Sequence, residues 1–247
     1  MIYYDLNLKG SNYQNDYNLI KQANEFGWNY INLLYSPDDY SNALEYKDDL
    51  EKELSECESE NTTEIGMGIY ISDSNPNEIR KIINRYRNKT DFISVFGGKN
   101  EVNRAVLENR QIDVLSRPYY RRNDCGINHV LAKEAVKNQV AIELSFRDVL
   151  TNFLSYRAKV LSHFRDIIQL QRKFKFPLII SSSSENIFDI RSPRDISSFF
   201  RQLGLNEDEL TESLYDTPRS IIEFNKHRKE YLFEGVRIIE KDSEVEK

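Results

Sequence analysis

Short apolar runs alternate with longer stretches of helical spacing along nearly the whole chain, and this alternation restricts the fold more than any single motif. Ile2–Leu6, Tyr30–Tyr35, Ile65–Ile71, Asp91–Phe96, Ile112–Leu115, Val140–Leu144 and Leu178–Ile180 read as strands. Helical spacing fills the intervals: Tyr17–Phe26 with Gly27 behind it, the highly charged Asp38–Glu58, a helix opened by Asn75-Pro76 and ending near Asn88, and Glu101–Glu108. Asn128–Asn138, the long Arg147–Lys173, Pro193–Leu203 and much of Leu210–Phe233 follow, with Gly235–Glu240 read as a further strand. A strand that reaches its neighbour through a helix runs parallel to it and is covered on its outer face by that helix. Seven or eight such units in 247 residues favour a closed or nearly closed TIM-barrel-like (β/α) barrel, with parallel strands and outer helices, over an open sheet. No stretch reads as a linker, so residues 1–240 are expected to form a single barrel domain, with 241–247 a frayed, charged tail.

Charge is distributed unevenly. The formal net charge is −6, which opposes a general affinity for nucleic acid, yet residues 117–175 hold 12 Lys and Arg against 5 Asp and Glu. Both flanks are acidic, so one polyanion-facing surface on an acidic body is expected. The two cysteines, Cys57 and Cys125, lack metal-site spacing and point to a reducing compartment. Met1–Gly10 reads as a strand without a cationic leader, and no apolar run approaches the roughly 20 residues of a membrane helix. A cytoplasmic protein with no membrane partner is the expectation.

Within the cationic third, Arg117-Pro118-Tyr119-Tyr120-Arg121-Arg122 interleaves guanidinium groups, which bind phosphate, with rings that stack on bases. Asn128 is a good N-cap for the helix carrying Lys133, and Ile127, Val130, Leu131 and Ala135 form its apolar stripe. In the long helix, Leu150, Phe153, Leu154, Leu161, Phe164 and Ile168 keep the spacing of a sheet-facing stripe, leaving Arg147, Lys159, Arg165 and Arg172 outside it. Glu143 interrupts the apolar strand Val140–Leu144, and a carboxylate there is either paired with a cation or catalytic. Ser181–Ser184 follow a buried strand. Ser192 and Pro193 then open a helix flanked by Arg191 and Arg194, which is either an anion site or a capped loop with solvated arginines.

Several chemistries have no support. The histidines are His129, His163 and His227 only, widely spaced, and no paired-histidine motif, aspartate-rich cluster, phosphate-binding glycine loop or nucleophile elbow occurs. A multinuclear hydrolase needs several histidines and carboxylates converging. Neither a catalytic residue nor a metal ligand is therefore assigned.

Four segments together resemble the ribonuclease P protein component 3 family, archaeal with a eukaryotic counterpart. They are Tyr3-Tyr4-Asp5-Leu6-Asn7, Cys125-Gly126-Ile127-Asn128-His129-Val130-Leu131-Ala132-Lys133, Val140-Ala141-Ile142-Glu143 and Asp189-Ile190-Arg191-Ser192-Pro193-Arg194-Asp195. The specific part is the N-H-V-L-A-K block followed closely by V-A-I-E. The resemblance implies a barrel related to the polymerase-and-histidinol-phosphatase phosphoesterases, whose histidine metal ligands begin on the first strand; here that strand reads Tyr4-Asp5-Leu6-Asn7. It also implies a non-catalytic subunit of the endoribonuclease that trims precursor tRNA at its 5′ end. Its partners would be the catalytic RNA, precursor tRNA through the complex, and other protein components, chiefly component 2. This chain would bind no cofactor of its own, and Mg²⁺ would serve the RNA catalyst. Arg117, Arg121, Arg122, Lys133, Arg165, Arg191 and Arg194 are the expected RNA contacts. The competing readings are a metal-dependent phosphoesterase on the same barrel, and a barrel enzyme that takes a small phosphorylated ligand at Ser181–Ser184 and Arg194.

Overall fold

The computed structural model describes residues 2–55, 63–228, 231–233 and 236–237. Seven parallel strands pair in sequence order: β1 (Tyr4–Lys9), β2 (Tyr30–Tyr35), β3 (Glu64–Ile71), β4 (Ile93–Phe96), β5 (Val114–Ser116), β6 (Ala141–Ser145) and β7 (Leu178–Ser181). Between them run α1 (Tyr13–Glu25), α2 (Tyr40–Glu45), α3 (Lys47–Ser55), α4 (Pro76–Tyr86), α5 (Asn100–Leu107), α6 (His129–Asn138), α7 (Arg147–Thr151) and α8 (Leu154–Phe174). After β7 come α9 (Pro193–Gln202), α10 (Glu207–Thr211), a π-helical turn at Glu212–Asp216 and α11 (Thr217–His227). The result is a nearly closed TIM-barrel-like fold.

The seam between β1 and β7 carries no strand ladder. It is bridged by the backbone N–H of Ser182, which donates to the Asp5 carboxylate at 3.1 and 3.2 Å, and by Lys9 N–H, which donates to the Ser184 carbonyl at 2.8 Å. Where a complete barrel would place an eighth strand, the π-helical turn packs against β7 and β1, and Tyr215 meets Tyr4 with ring centroids 6.0 Å apart.

Side chains alternate across each strand, so outward and inward faces can be followed separately. Outward residues such as Ile31, Leu33, Ile142 and Ile180 join a continuous core with the helices, including Ile20, Trp28, Ile83, Phe164 and Phe200. Inward residues Leu6, Tyr30, Phe92, Val114, Ala141 and Ile179 form a second apolar cluster, into which Ile222 of α11 inserts. Two positions further along the strands the inward residues turn polar: Ser94, Ser116, Glu143 and Ser181. The barrel is therefore plugged with hydrocarbon at the N-terminal strand ends and polar at the C-terminal ends.

A buried charged network fastens α11 below that plug. Arg87 donates to both oxygens of Asp113 (2.7 and 2.9 Å) and to Asn225 Oδ1 (2.9 Å), while Asp113 also accepts from Ile93 N–H (2.7 Å). Arg228 donates to the Arg87 carbonyl at 2.7 Å. These groups have little access to water, so neither ion can rehydrate if its partner is removed.

Three sequence expectations are revised. Asp38–Glu58 is not one helix over its described part but two, α2 and α3, separated at Tyr46. The helix expected over Arg147–Lys173 is broken: Asn152 and Phe153 are extended and Leu154 has φ +45°. The break is favoured locally because the Asn152 side chain donates to the Asp148 carbonyl at 2.6 Å and so competes with the helical ladder. It turns Phe153 and Leu154 away from the sheet, to 73% and 90% exposure, against the expected inward stripe; Val130 is likewise exposed. Finally, Tyr231–Phe233 is a strand rather than helix, and Val236–Arg237 pairs with it antiparallel, apart from the barrel sheet. The expected frayed tail 241–247 lies outside the described residues, as does Cys57. No helix among the described residues is long and apolar enough to cross a membrane.

Asp113→Ala should lower the unfolding free energy by about 3–5 kcal/mol, because it leaves the Arg87 guanidinium buried without a counter-charge. Denaturant titration checks this; a loss under about 1 kcal/mol would mean that the network contributes no more than an exposed pair.

Candidate functional site

The mouth of the barrel is a cavity of about 230 Å³ lined by Asn7, Lys9, Tyr70, Ser94, Phe96, Ser116, Arg117, Arg147 and Ser183, among others. Beneath it lies Glu143, fully buried. Its Oε1 accepts from Asn7 Nδ2 (2.7 Å), Ser183 Oγ (3.1 Å) and Ser181 Oγ, while Oε2 has no partner among the described residues. The buried carboxylate is held by an amide and two hydroxyls, not by the cation that burial alone suggests. The serines of Ser181–Ser184 are occupied: Ser181 and Ser183 bond Glu143, Ser182 closes the seam, and the Ser184 hydroxyl donates to Ser182 Oγ at 2.8 Å.

Asp5 is the second buried acid of this region. Burial pushes its carboxyl up to about 7, opposed by hydrogen bonds from the Ser182 and Asn7 backbone, with the Glu143 charge adding to the rise.

The loop that follows β5 frames one side of the mouth. Arg117, at φ +50°, donates Nε to Asp148 Oδ2 at 2.7 Å and Nη2 to Asp148 Oδ1. Tyr119 donates its hydroxyl to the same carboxylate at 2.8 Å. The Arg117 guanidinium lies 4.9 Å from the Phe96 ring centre and 4.8 Å from that of Tyr120, and Arg121 lies 5.3 Å from Tyr120. Asn103 of α5 ties the loop down, donating to the carbonyls of Pro118 and Gly126 (both 3.0 Å) and accepting from Gly98 N–H (2.8 Å). Gly126 has φ +75°, and a Cβ there would sit 2.1 Å from the Pro118 carbonyl oxygen, so glycine is required.

The sequence-predicted cations are only partly brought together. Arg117, Arg121 and Arg122 share the loop. Arg117 is spent on Asp148, and Arg122 on Asp124 (2.5 Å) and the Gly98 carbonyl (2.7 Å), whereas Arg121 makes no ion pair among the described residues. Lys133 and Arg165 are exposed on α6 and α8. Arg191 donates to the carbonyls of Phe188 and Ile190. Arg194 lines a different cleft, with Tyr3, Arg201 and Glu207, so the helix cap at Ser192 (to Asp195 N–H, 3.1 Å) does not form one phosphate site with the serines. Sequence reasoning missed Asp148 and Asn103, which position the loop, and the role of Arg147, held at the mouth by Glu185 (2.9 Å) and Asp189 (3.0 Å). Asp148 lies one turn beyond a strand end, where barrels build their sites, and that signal was available.

The donors at the mouth do not fit the histidine-based metal centre that a phosphoesterase on this barrel would need. The buried carboxyls of Glu143 and Asp5, an amide and hydroxyls include no imidazole, and among the described residues no three His, Cys, Asp or Glu converge on one point.

By fold and mouth this is a TIM-barrel-like protein with a hydroxyl- and arginine-lined opening. The same barrel occurs in the histidinol phosphate phosphatase of Lactococcus lactis solved with zinc, at TM-score 0.56 and 11% identity over 83% of this chain and 94% of that one, a likeness of fold alone. The family described as RNase P subunit p30 matches residues 2–230, and the chain belongs to that family. The ribonuclease P protein component 3 of Methanothermobacter thermautotrophicus is 41% identical over 97% of this chain and 96% of its own length. That of Methanococcus maripaludis is 32% identical over 91% and 95%. A chain in the cryo-EM structure of archaeal ribonuclease P with mature tRNA superposes at TM-score 0.80 with 28% identity, covering 97% of this chain and all of that one.

Two outcomes are expected. Because the folded Asp5 carboxyl titrates near 7 and an unfolded one near 4, the native state holds the extra proton between those values. Stability should therefore be greatest below about pH 4, as far as this group is concerned, and fall as pH rises towards 7, by at most about 1.4 kcal/mol per unit. Asp5→Asn should flatten that part of the profile, and an unchanged profile would show that the carboxyl titrates normally. Arg117→Ala should cost about 3 kcal/mol by stranding buried Asp148, whereas Arg121→Ala should change stability by less than about 0.5 kcal/mol; paired thermal melts compare them.

Proposed function

We propose that this chain acts as a protein subunit of ribonuclease P, supporting a catalytic RNA in the 5′ processing of precursor tRNA without carrying out the hydrolysis. The observation that carries the reading is the full-length superposition on a chain of archaeal ribonuclease P. The donor chemistry of the mouth agrees with it. A buried carboxylate clasped by Asn7, Ser181 and Ser183 and arginines neutralised by neighbouring acids can bind and position, but they supply neither a metal cluster nor an activated nucleophile. The RNA catalyst would use Mg²⁺, the compartment would be the cytoplasm, and ribonuclease P protein component 2 is the protein partner this reading favours. Of the candidate RNA contacts, Arg121, Lys133, Arg165 and Arg194 retain exposed charge, while Arg117 and Arg122 serve the loop. No observation favours the metal-dependent phosphoesterase.

Reconstitution tests the proposal. Precursor tRNA cleavage by the catalytic RNA, with partner proteins present, should rise at limiting Mg²⁺ when this chain is added. The RNA-free chain should turn over neither precursor tRNA nor a simple phosphodiester with Mg²⁺ or Mn²⁺. Multiple turnover by the chain alone, absent from an identically purified blank, would overturn the reading.

A further inference from the structure

Arg157, Lys159 and Arg121 form no ion pair among the described residues, although the other mouth arginines do: Arg117 meets Asp148, Arg122 meets Asp124, and Arg147 meets Glu185 and Asp189. The three unpaired cations are gathered on one rim, where the loop after β5 meets the break between α7 and α8. Arg121 N–H donates to the Tyr156 hydroxyl at 3.1 Å and Lys159 Nζ to Asn123 Oδ1 at 2.6 Å. Below them, His163 Nε2–H donates to the Arg122 carbonyl at 3.4 Å. Loop and helix thus form one surface.

That surface also presents the exposed aromatic ring of the break. Phe153 is 73% exposed, and Arg157 lies 5.6 Å from its ring centre, with Nε donated to the Asn152 carbonyl at 2.7 Å. The next residue, Leu154, is 90% exposed in the left-handed region, a conformation that costs a β-carbon-bearing residue free energy and recovers nothing here from packing. Nearby, Arg121 lies 5.3 Å from the Tyr120 ring. The rim therefore carries two ring–guanidinium pairs, each cation held by ring or backbone rather than by an acid. A base stacked on Phe153 would meet an apolar face, and its phosphates would meet charges that no carboxylate offsets. A duplex presents only phosphate and sugar at such a surface, because its bases are already stacked.

We infer that the rim formed by Tyr120, Arg121, Phe153 and Arg157 is a stacking platform for an unpaired segment of RNA. This rests on the ribonucleoprotein reading above and specifies which kind of RNA element the chain takes. The mouth arginines Arg117, Arg122 and Arg147 are neutralised by acids, so at this rim stacking adds to the charge of Arg121, Arg157 and Lys159.

The test uses the full chain with oligouridylate and oligoadenylate of about ten nucleotides and an RNA duplex of equal length, read by fluorescence anisotropy. Phe153→Ala should weaken single-strand binding about tenfold, with melting temperature and duplex binding unchanged. Arg121→Lys, which keeps the charge and loses the planar group, should also weaken single-strand binding but leave its salt slope in place. Wild-type chain that binds neither oligomer, or two variants that bind as wild type does, would overturn the inference. So would a Phe153→Ala chain that keeps its RNA affinity but no longer associates with component 2, because the rim would then be a protein contact. Stimulation of the catalytic RNA separates the two levels: if wild type stimulates cleavage while the oligomer results fail, only the platform falls, and if wild type does not stimulate, the subunit reading falls with it.

Discussion

The hydrogen bonds from the Ser182 backbone to the Asp5 carboxylate close a barrel that has one strand too few. Seven strands cannot complete a parallel ladder around eight positions, so β1 and β7 face each other across a seam of unpaired backbone. Unpaired buried amides are costly, and the first strand answers with a side chain. The carboxylate accepts what a missing carbonyl would have accepted, while the π-helical turn and α11 fill the volume. The cost is a buried acid whose carboxyl is pushed up to about 7. The position of the mouth serines follows from this closure, because Ser181 and Ser183 flank the seam and reach Glu143 from it.

The mouth keeps the shape of an enzyme site but uses its polar atoms internally. Apolar side chains fill the lower interior, and polarity begins one inward step higher, where barrel enzymes place their chemistry. Here Asn7, Ser181 and Ser183 bond Glu143, and the arginines around them are matched by Asp148, Asp124, Glu185 and Asp189. Such pairing makes a rigid rim rather than a reactive one. Arg121, Arg157 and Lys159, which no acid among the described residues compensates, lie further out, on the loop after β5 and the start of α8, where a large polyanion can reach them.

The legibility of the fold in the sequence followed the strength of each local signal. The strand Tyr30–Tyr35 and the caps at Asn128 and Ser192 were readable because each depends on neighbours within a few residues. The break at Asn152 was not, because Leu150, Phe153 and Leu154 keep a helical spacing that an interruption makes irrelevant. Glu143 was recognisable as an anomaly in an apolar strand, but its partners come from β1 and β7, remote in the chain. The arginines of Arg117–Arg122 were visible as a group; which of them remained free was not, since Asp148 neutralises Arg117 from 31 residues away.

Alternation of strand and helix, the cationic middle third, the poverty of histidine and the recurring family segments were determined by the sequence alone, since each is a matter of residue type and short-range spacing. Barrel closure, the separation of Arg194 from the mouth, the pairing that silences Arg117, Arg122 and Arg147 and the outward turn of Phe153 were decided only by the tertiary structure. The physical reason is that charge compensation and burial depend on which side chains meet in space. A guanidinium has the same sequence signature whether a carboxylate faces it or water does.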